Sequence, residues 1–211
     1  SHAACSELAR HANVPVVNAL TDVEHPCQIL ADYLTLAEHF DSVDGSGLPG
    51  KTLAYVGDGN NVCNSYLLGA PLAGLDIRVA TPKGYEPPAH IVERAKALAA
   101  AYGTEVTLTH NPFDAVDGAH AVATDTWVSM GDESEENDRL ADFVGFTVDE
   151  TLMDAAHPDA VFIHCLPGHW GHEATHEIAH GPRSLILPEA ENRMWAQMAL
   201  ILHLLGKQDE V

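Results

Sequence analysis

With 211 residues, 46% of them hydrophobic, the chain has room for one large domain with a buried core, or for one domain and part of a second. Ten basic residues against 31 acidic ones give a formal charge of −21, the opposite of the clustered Lys and Arg that a nucleic-acid surface needs. No apolar run approaches the roughly 20 residues of a membrane span, and no basic segment leads into an apolar one as in a secretory signal.

Taken in chain order, Ser1–Arg10 reads as the middle of a helix and Val14–Val17 as a short strand. Neither fits the later pattern, so residues 1–24 are expected to be the tail of a preceding domain and the chain a fragment of a longer protein. Pro26–Phe40 reads as a long amphipathic helix, with Pro at its first turn and Ile29, Leu30, Tyr33, Leu34 and Leu36 to bury. A Gly/Ser/Asp-rich loop follows at 41–50. From residue 52 short apolar runs alternate with helical stretches. The runs are Leu53–Val56, Ile77–Ala80, Val106–Leu108, Ala121–Ala123, Val161–Ile163 and a later Leu185–Leu187; Val62–Ala73, Ala89–Tyr102 and Asp149–Ala156 are among the helices. Runs this short, apolar on both faces and separated by helices, predict buried strands of a doubly wound parallel α/β sheet flanked by helices. Arg193–Leu205 closes the chain as a helix. The expected organisation is a first-domain remnant at 1–24, an α/β domain at 25–190, and a C-terminal segment at 191–211. The two long helices, 26–40 and 193–205, would bridge back to the preceding domain.

Ligands of such sheets bind beyond the carboxyl ends of the strands, which directs attention to four segments. Gly57-Asp58-Gly59-Asn60-Asn61 is a Gly-rich strand-to-helix turn suited to an anion. It fails the dinucleotide pattern, because Val62 stands where the third Gly belongs and Thr81-Pro82 where an acid should end the second strand. Asp125, followed by Ser129-Met130-Gly131, offers a carboxylate and a hydroxyl that together could hold an ammonium and a carboxylate; the plainer reading is a loop with an N-cap Ser. Cys165, after His164, is a nucleophile, a polar positioning group or an inert buried thiol. His25-Pro26-Cys27-Gln28 sets an imidazole and an amide at a helix start, fit to polarise a carbonyl or simply to cap the helix.

His172-Glu173-Ala174-Thr175-His176 matches HExxH. Zinc hydrolysis needs both histidines on one helix face and a third ligand. Gly171 and Gly181-Pro182 leave little helix here, and His169, His172 and His176 are read as surface residues. The four cysteines, Cys5, Cys27, Cys63 and Cys165, have no CxxC spacing, so neither a disulfide framework nor a zinc ribbon is expected, and a reducing cytoplasm is the natural setting. The acidic excess reads either as a solvated surface or as adaptation to molar intracellular salt.

The motifs, in this order and at this spacing, resemble the ornithine carbamoyltransferases. The resemblance rests on His25-Pro26-x-Gln28, Gly57-Asp58-Gly59-Asn60-Asn61, Asp125-x-x-x-Ser129-Met130-Gly131, His164-Cys165-Leu166-Pro167 and Pro188-Glu189-Ala190-Glu191-Asn192-Arg193. It extends through Leu30–Thr35 and Ala80–Tyr85 and so over nearly the whole chain. It implies a two-domain α/β enzyme, usually trimeric, that transfers the carbamoyl group of carbamoyl phosphate to the δ-amine of L-ornithine, with no cofactor or metal and no nucleic-acid or membrane partner. By resemblance, Cys165 lies at the reacting amine and His25 polarises the carbamoyl carbonyl. Asn61, Asp125, Ser129 and Met130 hold ornithine, while His25, Gln28, Cys165, Leu166 and Arg193 contact carbamoyl phosphate. The family's Ser-Thr-Arg-Thr phosphate loop is absent from this sequence, so the chain is expected to turn over little by itself. A putrescine carbamoyltransferase and a nonenzymatic ornithine-binding fragment are the alternatives.

Overall fold

The computed structural model describes residues 1–40, 44–128 and 136–207. Its centre is a five-stranded, all-parallel sheet in the order β3-β2-β1-β4-β5. The strands are β1 (Thr52–Val56), β2 (Asp76–Ala80), β3 (Val106–Thr109), β4 (Ala121–Thr124) and β5 (Val161–His164). The chain builds outward from β1 to β3, then returns to the other side of β1 for β4 and β5. The topological switch therefore falls between β1 and β4, where a crevice opens beyond the strand ends.

Helices cover both faces, as a parallel sheet requires. On one face Leu53, Tyr55, Ile77, Val79, Ala121, Ala123, Val161 and Ile163 pack against α2 (Pro26–His39), α3 (Asn61–Leu72) and α4 (Ala89–Tyr102). On the other, Ala54, Val56, Val122 and Phe162 meet α5 (Pro112–Val116), α7 (Glu150–Asp154) and α8 (His176–Ala179), together with Trp127, Phe143 and Phe146. In β1, β4 and β5 alternate residues thus feed two separate cores, which is why those strands read as nearly continuous apolar runs, while Arg78 in β2 and exposed Thr107 in edge strand β3 break the pattern. The remaining helices are α1 (His2–His11), α6 (Glu136–Asp142) and α9 (Ile186–Leu204), the last of which lies along α2.

Local chemistry sets the helix starts. Asn60 caps α3, its Oδ1 accepting from the Val62 and Cys63 N–H groups at 3.0 and 3.1 Å. Pro26 occupies the first turn of α2, where a missing N–H leaves nothing unpaired. Asp149 caps α7 at the Leu152 N–H, 2.8 Å away.

Two expected strands are not strands. Leu185–Leu187 instead begins α9: Ser184 makes a single bridge to Phe162, the Leu185 N–H donates to the Phe162 carbonyl at 2.8 Å, and the chain then turns into the helix. Pro188 does not oppose this, because it falls in the first turn, where backbone N–H groups have no intrahelical acceptor. The closing helix accordingly starts seven residues before the predicted Arg193. Val14–Val17 is irregular, and no described strand runs beside it to complete a ladder. Exposed apolar side chains are concentrated on α9, at Leu187, Met194, Trp195, Met198, Ile201 and Leu204. Among the described residues, no helix is long and apolar enough to cross a membrane.

Candidate active site at the carboxyl edge of the sheet

Register assembles the core of the site. Thr124 of β4 pairs with His164 of β5, so the next residues, Asp125 and Cys165, emerge side by side at the carboxyl edge. The Cys165 thiol donates to Asp125 Oδ1 at 3.1 Å. The same carboxyl accepts from the Thr126 N–H at 2.8 Å and, through Oδ2, from the Asn60 side-chain amide at 2.7 Å. The residue that caps α3 across the switch point is thus also the one that fixes Asp125.

Burial and the neighbouring Asp125 carboxylate hold the Cys165 thiol well above the ordinary cysteine range. With its thiol pushed up and aimed at Asp125 Oδ1, Cys165 is placed as a hydrogen-bond donor rather than as a thiolate. Past it the chain turns at Leu166, which takes a left-handed conformation (φ 58°) and donates its N–H to His164 Nδ1 at 2.9 Å. A left-handed non-glycine residue costs on the order of 1 kcal/mol or more. Here it turns the backbone of Cys165 and Leu166 outward at the strand end.

The second half of the site comes from α2 and α9. Gln28 accepts a hydrogen bond from Arg193 through Oε1, while its Nε2 donates to Asp32 at 2.7 Å and to Glu189 at 2.9 Å. His25, just before α2, is tied by its backbone N–H to the Ser65 hydroxyl at 2.7 Å. Burial and then the Arg193 guanidinium hold its imidazole below the ordinary histidine value, against the opposing pull of the Ala19 carbonyl and Asp125. At neutral pH His25 is an uncharged donor, suited to polarise a carbonyl without adding charge. Its Nδ1 is buried and meets no hydrogen-bond partner among the described residues.

Of the expected site residues, Asp125 and Cys165 are in direct contact, as are Gln28 and Arg193, and Leu166 stands at the turn beyond Cys165. Asn61 is engaged locally, its side-chain amide donating to the Thr21 carbonyl at 2.8 Å and its Oδ1 accepting from Val62. Ser129 and Met130 lie outside the described residues. Motif reading gave Asn60, Asp32 and Glu189 no role in carbamoyl transfer. The signal for Asn60 was its place before α3, where an Asn is a cap; nothing local marks Asp32, and Glu189 is recognisable only once α2 and α9 are side by side.

The Gly-rich turn is not an open anion cradle. Asn60 already fills the N-terminus of α3, and Asp58 takes a 2.7 Å ion pair from Arg139. Gly59 is demanded by proximity: its N–H donates to the Tyr85 carbonyl at 2.9 Å, and a Cβ there would stand 2.4 Å from the Pro87 nitrogen. The HExxH segment is also explained structurally. Residues 171–174 form turns and a bridge, α8 begins only at His176, and Glu173 is buried with its Oε1 3.3 Å from His164 Nε2. His172 and His176 therefore share no helix face, and Glu173 is committed to the interior.

The chain is similar to known proteins over nearly its whole length. The family model described as Aspartate/ornithine carbamoyltransferase, Asp/Orn binding domain, covers residues 49–204, and that of the carbamoyl-P binding domain covers residues 1–38. The ornithine carbamoyltransferase of Thermus thermophilus is 52% identical over 204 residues, which is 97% of this chain and 63% of that protein. That of Methanoculleus marisnigri is 50% identical over 206 residues, 98% of this chain and 64% of that protein. The crystal structure of the Thermus thermophilus ornithine carbamoyltransferase superposes with a TM-score of 0.83 at 49% identity, covering 96% of this chain and 63% of that one. The Pyrococcus furiosus ornithine carbamoyltransferase gives 0.89 at 42%, with the same coverages. The chain spans less than two thirds of the length of these relatives.

Proposed function

The chain belongs to the aspartate/ornithine carbamoyltransferase family, and on that premise we propose that it carries the ornithine side of an ornithine carbamoyltransferase active site and part of its carbamoyl-phosphate side. The observation that supports this most is the meeting of Asp125, Cys165 and Asn60 at the switch point, with Gln28 and Arg193 joined on the flanking helices.

In the reaction, the δ-amine of L-ornithine attacks the carbonyl carbon of carbamoyl phosphate. A C–N bond forms, the C–O bond to phosphate breaks, and the amine loses a proton, giving citrulline and phosphate. Attack needs a neutral amine held a few ångströms from the carbonyl. Asp125 holds an amino group of ornithine and, as the anion at this point, receives its proton. Cys165, kept as a thiol, orients the amine through its sulfur lone pairs and forms no covalent bond. Asn61, Ser129 and the Met130 backbone take the α-amino-carboxylate end. Neutral His25 and the Gln28 amide address the carbamoyl group with the backbone of Cys165 and Leu166, and Arg193 balances charge on the phosphate side.

In this reading residues 1–24 belong with the carbamoyl-phosphate domain, 25–190 form the ornithine domain, and 191–211 return toward the first domain. The match of residues 1–38 to the carbamoyl-P binding model supports placing the N-terminal stretch with that domain, although the match runs on through α2, and the apolar outer side of α9 supports its return toward the first domain. A trimer of complete subunits in the cytoplasm is the proposed setting. The test is citrulline formation from ornithine and carbamoyl phosphate at low and molar KCl, run on this chain alone and on the chain joined to a full carbamoyl-phosphate domain, with putrescine as a parallel acceptor. Ornithine-dependent turnover by the joined protein, greatest at molar KCl, is expected. Turnover with putrescine in its place would overturn the substrate assignment.

A further inference from the structure

Behind Gln28 lies a group of side chains to which the proposed reaction gives no task. Asp32, on the inward side of α2, and Glu189, in the first turn of α9, are both almost fully buried. Each of their four oxygens accepts a hydrogen bond. Asp32 Oδ1 and Glu189 Oε1 take the two N–H groups of Gln28 at 2.7 and 2.9 Å; Asp32 Oδ2 takes the Tyr66 hydroxyl at 2.6 Å; Glu189 Oε2 takes the His164 backbone N–H at 2.8 Å. Because both accept from the single side-chain nitrogen of Gln28, the two carboxyl groups are close neighbours in the interior. Two buried negative charges sharing one amide group are unfavourable beside a single cation.

We propose that Asp32 and Glu189 form a carboxyl pair holding one proton between them, and that this pair is the positioning element for Gln28 and for the end of β5. With both Nε2 hydrogens claimed, the amide of Gln28 has one orientation, Oε1 toward Arg193. A flipped amide would set its oxygen against the acids and leave two donors unmet, and an unsatisfied buried polar group costs about 1–3 kcal/mol. Glu189 extends the same control to His164, the residue before Cys165. One element thus fixes both the helix side and the strand side of the carbamoyl pocket. The link to the carbamoyl group rests on the function proposed above; the proton count does not.

The titratable and charged groups facing the pair are Tyr66 from α3, Arg193 from α9 and Cys165 from the end of β5. Burial pushes Asp32 up to about 6 and, with the charge of Asp32, carries Glu189 well above the ordinary carboxylate range.

Carbon-13 NMR of side-chain carboxyl groups in this chain, titrated from pH 4 to 9, counts that proton without any substrate. The expected result is one of the two carboxyls still protonated at pH 7, its partner ionising near pH 6, and the Gln28 side-chain amide signals shifting with the same midpoint. In Asp32→Asn the Glu189 carboxyl loses its anionic neighbour and should titrate at lower pH. Both carboxyls ionised at pH 7, or Gln28 signals that ignore the transition, would overturn the proposal; a variant that fails to fold leaves the wild-type titration to decide. In the joined, active protein, Asp32→Asn should raise the carbamoyl-phosphate KM roughly tenfold, the size of one buried charge-assisted hydrogen bond. The ornithine KM should move less than about twofold. Equal shifts in both KM values would reduce the pair to a general structural role. Absence of citrulline formation in wild type would reject the function while leaving the proton count intact.

Discussion

The two halves of the site solve the same problem, holding polar groups still, in different ways. On the proposed ornithine side, Asp125, Cys165 and Asn60 sit at the rim of the sheet, and strand register does the positioning: once β4 and β5 pair as Thr124 with His164, the next two side chains meet. On the proposed carbamoyl side, Gln28 and Arg193 stand 165 residues apart in sequence, and buried acids behind them do the positioning. Backbone ladders hold the first half, side-chain hydrogen bonds in a low-dielectric interior the second. The first half should therefore show its weaknesses through single side chains. The second should respond to protonation.

The largest effect is expected from Asp125→Ala in the joined protein. It removes the site's carboxylate and leaves the Asn60 amide, the Thr126 N–H and the Cys165 thiol without their acceptor, so ornithine affinity should fall by about 10²–10³-fold, or 3–4 kcal/mol. Calorimetry should find carbamoyl-phosphate binding unchanged within about twofold; retained ornithine affinity would erase the distinction between the halves. Cys165→Ala comes next, with a loss of about 10–100-fold in kcat/KM, since a donor to Asp125 and a lone pair at the amine disappear together. Alkylation sharpens this point. The Cys165 thiol, held up by burial and by Asp125, should react with iodoacetamide more slowly than partly exposed Cys5 at pH 7.5. Asp125→Asn should speed it, and a Cys165 faster than Cys5 in wild type would contradict the protonated-thiol assignment. The smallest effect belongs to Asn60→Ala, which loses the α3 cap and one bond to Asp125. A destabilisation of about 1–2 kcal/mol is expected by urea unfolding, with a rise in ornithine Kd alongside it.

Much of this was legible beforehand, for identifiable reasons. Leu53–Val56 and Val161–Ile163 were recognisable as buried strands because both faces of a parallel sheet are covered and no polar residue interrupts them; Ile77–Ala80 was recognisable despite Arg78, which lies half-exposed and donates to the Asp117 carbonyl. Leu185–Leu187 has the same look and is not a strand, because a short apolar run does not distinguish a buried strand from the first turn of a buried helix. The HExxH pattern failed for a related reason: a motif presumes its helix, and Gly171 and the bridge at Ala174 deny it one.

Sequence by itself determined the parallel α/β architecture, the strand-end location of Asp125 and Cys165, and the carbamoyltransferase family, because periodicity, turn residues and ordered motifs are local properties of the chain. Only the tertiary structure decided that Asn60 serves Asp125, that the Cys165 thiol is held protonated, that Asp58 is paired with Arg139, and that Asp32 and Glu189 meet behind Gln28. Each of these depends on desolvation and on contacts between residues up to 161 positions apart. Burial and neighbouring charge set a group's protonation and partners, and neither is defined until the chain has folded.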